Sequence, residues 1–433
     1  MAYPDDLKTT INKLTNYSRS SVKIQNETSG DVVSGNQLKF RLPSNSLIDL
    51  SSLAVHCHMK TVSTGAEVGG VKVAYIPCRD LNIIRRLTVE MENNTVCVIE
   101  NYDRVRAMML DYSMGEANHK FNLYGHGDVN NINVNGVAIG VAPNANAGFD
   151  QDIILDRFIS FLSGSPSYVD TSVTGALMVT IDLVPASECL FKNGVSTANC
   201  TNAPEYTLSK ICATITKCSI QDGFYFNAIQ SSLAQGLPFK LRFPYYESTI
   251  SQEGPQTMSM RTDIQSDSID MVFFSFMHSS ANAKQTTNKD VSRYSEPTNS
   301  HKYLNRSLQD VTGLQFNVNG MTIPSYTMDK PAMYNQLLSD LGCKNDRDGG
   351  FNSLVTVSSY NWSHYFGMAT LSLHHPTANP DLISGLSSES TPCQISVDCQ
   401  STGASGTNWV GVLTVQSTRL VECYSGRNII LIR

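Results

Sequence analysis

The chain has 433 residues, of which 41% are hydrophobic and only 16% charged, and its net charge is −6. This length predicts two or three domains that bury their cores without metal ions or disulfide bonds, and the neutral polar surface favours contact with other proteins over direct contact with nucleic acid. Residues 1–17 are polar and no apolar run approaches the ~20 residues that span a bilayer, so we expect synthesis and residence in the cytosol or nucleus.

The first predicted element is a short amphipathic helix within residues 5–17. An aspartate at either of its first two positions can cap it, and apolar Leu7, Ile11 and Leu14 follow at spacings of four and three. A helix this short is marginal on its own, so we expect its apolar face to dock on a neighbour. We assign residues 1–30 to an N-terminal arm that carries this helix.

Alternating hydrophobicity predicts strands through the rest of the first half. Apolar and charged side chains alternate over residues 37–42, and the same period continues over residues 53–60. Residues 87–91 should pair with residues 95–99 in a hairpin that turns at 92–94, where asparagine tolerates a left-handed turn. These patterns indicate half-buried strands of a sheet.

Helical periodicity beyond the N-terminus is confined to two short segments. One spans residues 102–112, and the other spans residues 333–341 with Gly342 placed to cap it. The remaining chain alternates or forms loops, of which residues 115–148 and 279–310 are the longest. An all-β chain with one helix inserted after the same hairpin in each half is typical of β-sandwiches.

An internal repeat is the most informative feature of the chain. Five pairs of short segments recur in one order, with offsets that rise from 221 to 234 residues. They are Ile48-Asp49-Leu50 with Ile269-Asp270-Met271, Leu87-Thr88-Val89 with Leu314-Gln315-Phe316, Tyr102 with Tyr334, Val179-Thr180 with Leu413-Thr414, and Glu188-Cys189 with Glu422-Cys423. A sixth pair at offset 224, Ile159-Ser160 and Leu162-Ser163 with Ile383-Ser384 and Leu386-Ser387, falls outside this progression. The repeat predicts two copies of one domain at residues 31–220 and 238–433, joined by a linker at 221–237.

The sequence contains no motif that specifies catalysis. His56 and His58 face one way on a strand and could bind a metal with a third ligand, although exposed strand histidines need no ligand. Asp346 and Asp348 resemble the start of a calcium loop whose further acidic ligands are missing. Nucleophile elbows, zinc-protease helices, phosphate loops and dinucleotide-binding glycine patterns do not occur. We therefore predict no enzyme, and no catalytic, cofactor-binding or metal site.

The 11 cysteines are an odd number and show no C-x-x-C spacing. Cys57, Cys97 and Cys212 sit in apolar strand patterns, where cysteine behaves as a small hydrophobic residue. We expect a reduced interior set of thiols rather than a disulfide framework.

Six segments carry a family resemblance in their order and pattern. They are residues 35–43 and 46–50, residues 83–101 with the helix at Tyr102, and, in the second half, residues 268–272, residues 316–324 with the helix at Tyr334, and residues 382–386. In these segments the chain resembles the double jelly-roll major capsid proteins of adenovirus-type viruses, virophages, polinton-like viruses and related tailless phages.

The resemblance implies two tandem eight-stranded jelly-roll sandwiches, each with one short inserted helix. It also implies a homotrimeric, pseudo-hexagonal tile of an icosahedral virion shell, made in the host cytoplasm or nucleus and not secreted. The N-terminal arm would contact neighbouring capsomers, penton and minor capsid proteins, or internal membrane proteins through Leu7, Ile11 and Leu14. Residues 115–148 and 279–310 would form low towers at the outer end, and no direct contact with nucleic acid is implied. A host-receptor contact is not specified by the sequence.

Two other functions fit the same pattern. A carbohydrate-binding or glycan-processing protein built from two jelly rolls would need exposed aromatic side chains, which Tyr245-Tyr246, Tyr360, Trp362 and Trp409 could supply. A minor capsid or vertex protein would share the fold but assemble in few copies. The completeness of the repeat favours the major tile over this last alternative.

Overall fold

The computed structural model places two β-sandwiches one after the other along the chain. It describes residues 17–61, 63–68, 71–77, 82–92, 94–113, 131–132, 138–139, 150–193, 205–220, 223–278, 308, 311–341, 367–374, 385–388, 391–401 and 409–432. The predicted N-terminal helix and most of the two long predicted loops lie outside these residues. Within the described ranges, no helix combines the length and the apolar character needed to cross a membrane.

The first half contains fifteen described strands and three helices. The strands are β1 (Tyr17–Gln25), β2 (Val32–Val33), β3 (Gln37–Arg41), β4 (Leu47–Thr61), β5 (Ser63–Val68), β6 (Val71–Pro77), β7 (Ile84–Met91), β8 (Asn94–Ile99), β9 (Asn131–Ile132), β10 (Ala138–Ile139), β11 (Asp150–Leu155), β12 (Tyr168–Asp170), β13 (Leu177–Leu183), β14 (Leu190–Asn193) and β15 (Tyr206–Ile220). The helices are α1 (Tyr102–Ser113), α2 (Thr171–Thr174) and α3 (Ala186–Cys189). A 3-10 helix spans Ser160–Ser163.

The second half follows a connecting helix, α4 (Gly223–Ala234). Its strands are β16 (Phe239–Gly254), β17 (Ser259–Ile264), β18 (Ile269–His278), β19 (Val311–Val318), β20 (Met321–Met328), β21 (Ala369–Ser372), β22 (Cys393–Ser401), β23 (Trp409–Tyr424) and β24 (Asn428–Ile432). Its long helix is α5 (Lys330–Asp340), and a 3-10 helix spans Ser425–Arg427.

Both halves have the same strand topology. In the first, the sheet β1-β15-β4-β11 faces the sheet β3-β13-β7-β8; in the second, β16-β23-β18-β21 faces β17-β22-β19-β20. The first and last long strands of each half are therefore antiparallel neighbours, and eight principal strands build each sandwich. This is jelly-roll topology, with α1 and α5 inserted after the hairpins β7-β8 and β19-β20. The predicted fold class is confirmed.

Alternation in the sequence explains which face of each strand is buried. In β13 the side chains of Leu177, Val179, Ile181 and Leu183 are at most 1% exposed, while the intervening side chains are half-buried. The equivalent strand β22 repeats this pattern in the second sandwich. Full burial of such a side chain stabilises the fold by roughly 1.5–3 kcal/mol, so the inner faces supply most of the cohesion of each sandwich.

The repeated Ile-Asp pair has the same structural place in both halves, at the start of β4 and of β18. Asp49 is 6% exposed and accepts hydrogen bonds from the N–H and hydroxyl of Ser51 (3.2 and 2.6 Å). In the second half, Asp270 accepts from the hydroxyls of Ser268 and Thr418, both at 2.6 Å. Each aspartate therefore accepts a hydrogen bond from a serine hydroxyl two residues away at the start of its strand, which explains this part of the repeat.

We predict that Asp270→Ala lowers the free energy of unfolding by about 2 kcal/mol, because two hydroxyls lose a charged acceptor in a half-buried site. Asp270→Asn keeps one acceptor oxygen, so its free energy of unfolding should fall by about half as much. Asp263→Ala is the matched control, since Asp263 is 52% exposed and forms its ion pair with Arg261 on its own strand. Urea unfolding of the three variants checks this; equal losses for Asp270→Ala and the control would contradict it.

Strand β1 corrects the predicted boundary of the N-terminal arm. Residues 17–25 pair with β15 along their whole length, from Tyr17 opposite Ile220 to Gln25 opposite Cys212. They belong to the first sandwich, so the arm cannot extend to residue 30. The side chains of β1 are mostly exposed and polar, and this edge position left no apolar period in the sequence.

Helix α4 was not predicted and occupies most of the predicted linker, residues 221–237. Among its described apolar side chains, Ile229 and Leu233 pack against the core. Gly236 ends it with a left-handed φ of 79°, and the N–H of Leu237 bonds to the carbonyl of Ser232. The connection between the sandwiches is therefore largely helical.

The structure confirms some repeat pairs and shows that others are wrong. The Ile-Asp pair and the hairpins match between halves. The closing pairs do not, because Val179 lies on β13 and Glu188 on α3, whereas Leu413 and Glu422 both lie on β23. The pair at offset 224 also fails, since Leu386 bridges to Ile269. In the first half, the residue opposite Ile48 of β4 is Val169 of β12, and not Leu162.

Candidate functional surfaces

The two sandwiches are joined by a backbone bridge between Ser165, just after the 3-10 helix, and Arg242 of β16. Ser165 and Arg242 exchange two backbone hydrogen bonds, of 2.7 and 2.9 Å. Beside them, the rings of Phe161 and Phe243 meet edge to face with centroids 5.2 Å apart. Gly164 packs so closely that a Cβ there would lie 2.8 Å from the carbonyl oxygen of Arg242. The halves therefore form one continuous body at this junction.

Side chains extend this junction along β8 and β16. The hydroxyl of Ser160 donates to the carbonyl of Pro244 at 2.7 Å and lies 3.3 Å from the sulfur of buried Cys97. Close by, the guanidinium of Arg419 stacks over the ring of Tyr245, 3.2 Å from its centroid. None of these contacts has a local sequence signal, since each joins residues more than 60 positions apart or depends on the packing of the two sheets.

Helix α1 covers the outer face of the second sandwich. Arg104, Val105 and Met108 line a small cavity against this face. Across it lie Phe273, Ser275 and Met277 of β18 and Val412 and Thr414 of β23. Phe273 and Met277 are only 2% and 3% exposed, although they point away from the core of their own sandwich. This outer face is therefore an internal contact surface of the chain.

The corresponding outer face of the first sandwich has a different composition. Its strands β4 and β15 present Ala54, His56, His58, Cys212 and Thr214, all half-buried. These side chains are smaller and more polar than their counterparts on β18 and β23. One chain thus contains two copies of the same sheet face that differ in the size and polarity of their side chains.

Comparison with solved structures decides the architecture. The quasi-atomic model of the PBCV-1 virus capsid matches with 12% identity and a TM-score of 0.59, covering 99% of each chain. The Faustovirus major capsid protein matches with 9% identity and a TM-score of 0.60, covering 100% of this chain and 93% of its own. The Sputnik virophage structure matches with 10% identity and a TM-score of 0.56, covering 100% of this chain and 92% of the other.

The chain has the double jelly-roll fold. No protein-family model and no curated protein sequence matches it. At these identities the likeness concerns the fold, which extends over almost the whole of this double jelly roll and of the structures compared.

The two strand histidines of the double jelly roll point to one face, as predicted, and their partners are protein groups. His56 Nε2 lies 2.9 Å from the hydroxyl of Thr214. His58 lies between two carboxylates of β11, with Nδ1 2.8 Å from Asp152 and Nε2 2.6 Å from Asp150. Among the described residues, no three histidine, cysteine or acidic side chains are arranged to hold a metal ion. These histidines therefore tie β4 to its two neighbouring strands.

The described aromatic residues do not form the exposed patch that sugar stacking needs. Trp409 and Tyr246 are 7% and 6% exposed, and Tyr245 lies beneath Arg419. Tyr360 and Trp362 lie outside the described residues, as do the calcium-like Asp346 and Asp348. His374 follows β21, and its Nδ1 lies 2.9 Å from the hydroxyl of Ser372.

The eight described cysteines are free thiols. Burial raises the pKa of Cys57 to about 12, with smaller contributions from Cys212 and Asp152, and burial also raises the pKa of Cys423 to about 12. Cys57 and Cys97 are core residues, as predicted. Cys212 is not, because it lies opposite His56 on the outer face. The apolar residues on either side of Cys212 concealed this orientation.

These positions predict different reactivities of the thiols. At neutral pH we expect an alkylating reagent to modify Cys212 in the native protein while Cys57 and Cys423 stay unmodified, because the thiolate is the reactive form and burial suppresses it. All three should react after unfolding in denaturant, which serves as the control. Peptide mass spectrometry measures each site; native modification of Cys57 at the rate of Cys212 would contradict the structure.

Proposed function

We propose that this chain is a major capsid protein that forms the tiles of an icosahedral virus shell as a homotrimer. The observation that carries this proposal is the full-length double jelly roll. The PBCV-1 capsid, Faustovirus and Sputnik structures match it over 92–99% of their own length. We infer a structural rather than enzymatic role, and residence in the virion, from the same likeness.

The physical character of the molecule supports this role. A tile must keep its shape while it meets other copies on several sides, and the two-way backbone bridge between Ser165 and Arg242 holds the sandwiches together. With charged residues at only 16%, its surface can be buried against protein at a low desolvation penalty. Three copies of a double jelly roll would present six sandwiches, which suits a pseudo-hexagonal outline.

The decisive experiment is the mass of the purified protein in solution, measured by light scattering. We expect a particle of three times 47.5 kDa, or a larger closed assembly, whose negative-stain images show hexagonal outlines. A protein that remains monomeric across the concentration range would contradict the homotrimer. If virions instead contain the protein in few copies at their vertices, the minor capsid alternative would be supported.

The N-terminal arm gives a second test of this proposal. Since β1 begins at Tyr17, a deletion of residues 1–16 removes the arm without removing any described strand. We expect this variant to form the trimer but to assemble into shells at least tenfold less efficiently, because Leu7, Ile11 and Leu14 would no longer dock on neighbouring capsid components. Electron microscopy of assembly reactions measures the yield. A triple substitution of these three residues by serine is the matched variant, and normal assembly by both would remove the docking role.

A further inference from the structure

The last strand of the double jelly roll, β24, has no counterpart in the first sandwich. After β15 the chain enters α4, whereas after β23 it turns back and continues as β24. This strand pairs along its whole length with the end of β23, from Asn428 opposite Tyr424 to Ile432 opposite Leu420. Within the described residues no other strand pairs with β24, so its second edge presents unpaired backbone N–H and C=O groups.

The strands at the two ends of each sandwich sheet are protected against further pairing. Strands β1, β3, β11, β16 and β17 carry charged side chains, and β20 contains Pro324. Strand β8 lies against β16, and β21 lies against α5, where Thr370 donates to Asp340. In contrast, β24 has four aliphatic side chains in succession, with neither a charge nor a proline in residues 428–432. Such an edge is a template for a further strand.

Both faces of β24 are apolar. On the inner face, Ile429 and Leu431 pack against the hydrophobic core and are half-buried. On the outer face, Ile430 is 45% exposed opposite Glu422, whose carboxylate pairs with Lys240 at 2.8 Å. A partner strand must therefore bring aliphatic side chains to both faces. Among the described strands, β24 itself meets this requirement with an open edge and without a charge or a proline.

We infer that the β24 strands of two copies pair with each other, antiparallel and centred on Ile430, and that this contact links chains of neighbouring trimers. The second part rests on the proposed function, because a patch that meets its own copy has two-fold symmetry and cannot close a ring of three. In this register Ile430 faces Ile430 of the second copy on the outer face, and Ile429 faces Leu431 on the inner face. Asn428 faces Ile432, so no like charges meet within the five paired residues.

The contact is small and therefore weak. Five paired residues bury far less than the roughly 1,600 Å² of a standard stable interface. A trimer carries three such edges, and several weak contacts made together reach a high avidity. In the sequence, arginines flank the strand at 427 and 433, and in this register they would face each other across the axis. Screening by salt should therefore strengthen the pairing.

A cysteine at position 430 tests the inference directly. A residue cannot form a disulfide with itself within one chain, so a 430–430 disulfide joins two copies. Directly opposite residues of antiparallel strands have Cα atoms about 4.5–5.5 Å apart, which is within the range that disulfides span. Under mild oxidation of concentrated protein, we expect Ile430→Cys to form this disulfide at least tenfold faster than Met321→Cys. Met321 is the control because it lies outside β24 and is more exposed, at 66%. Non-reduced peptide mass spectrometry measures both disulfides.

Two further cysteine variants test the register. Asn428→Cys and Ile432→Cys should crosslink to each other in an equal mixture and much more slowly when either is alone. Equal rates for Ile430→Cys and Met321→Cys, or efficient self-crosslinking at 428, would overturn the inference. A trimer in which position 430 does not crosslink leaves the proposed function standing. Pairs of chains linked at 430 in a protein that forms no trimer would overturn the proposed homotrimer and leave the pairing of β24.

Charge substitution gives a second measurement. Ile430→Lys places a lysine of each copy at the two-fold axis, so we expect the association of trimers into larger assemblies to fall at least tenfold. The fold should survive, because this side chain is 45% exposed and lies opposite Glu422. Ile430→Val is the matched control and should assemble as the native protein does. Light scattering measures assembly, and urea unfolding measures the fold. Assembly of a folded Ile430→Lys variant at the native level would contradict the pairing.

Discussion

Tyr102→Ala should lower the free energy of unfolding by about 4 kcal/mol, the largest single-residue effect that we expect. The ring is fully buried at the start of α1, and its hydroxyl oxygen accepts a hydrogen bond of 2.8 Å from the N–H of Ile159. Burial also raises the pKa of the Tyr102 phenol, so the side chain stays neutral. Removing a large buried aromatic ring typically costs 3–5 kcal/mol. Urea unfolding measures the loss.

Two variants separate the contributions to this loss. Tyr102→Phe keeps the ring and leaves the N–H of Ile159 without its acceptor, which should cost about 1–2 kcal/mol. Tyr334→Ala tests the predicted equivalence of the two tyrosines. Tyr334 is half-buried, and the fully buried position of α5 is Met333, so we expect less than ~1.5 kcal/mol for Tyr334→Ala and more for Met333→Ala. A Tyr102→Ala loss below ~1 kcal/mol would contradict the anchoring role of the ring.

Gly164→Val should separate the two sandwiches. A Cβ at this position would lie 2.8 Å from the carbonyl oxygen of Arg242 and 3.1 Å from Cβ of Phe243, and the rigid backbone bridge beside it leaves no room for a shift. Overpacking of this kind destabilises a protein by about 1–3 kcal/mol. Here it would weaken the contact between the two halves. We therefore expect calorimetry to resolve two unfolding transitions in the variant.

Gly254→Val is the control for this experiment. Its Cβ would meet only the terminal methyl of Met258, at 4.0 Å, so its unfolding should resemble that of the native protein. If Gly164→Val unfolds in one transition at the native temperature, the junction does not couple the two sandwiches.

The sequence predicted those elements whose structure follows from local periodicity. Strands such as β3, β4 and β13 bury one face, so apolar and polar side chains alternate along them, and α1 and α5 have the helical period. Strand β1 lies at a sheet edge with mostly polar side chains, so it has no pattern of this kind. A hydrophobic period in the sequence reflects the burial of one face of an element against a partner, rather than the secondary structure itself.

The contact surfaces could be predicted only in part. The two histidines were placed correctly on one strand face, but their partners Thr214, Asp150 and Asp152 come from strands more than 90 positions away. The junction at Gly164 and Arg242 depends on how two finished sandwiches pack. Tyr334 was matched to Tyr102 by residue type, whereas the structure matches positions by burial and therefore pairs Tyr102 with Met333.

The short helical connection between β15 and β16 has a consequence for the order of assembly. Tethered domains meet at an effective concentration on the order of millimolar, far above that of separate copies in a dilute solution. The contact across Ser165 and Arg242 therefore forms in every molecule before molecules meet. Any intermediate on the way to a shell then holds an even number of sandwiches.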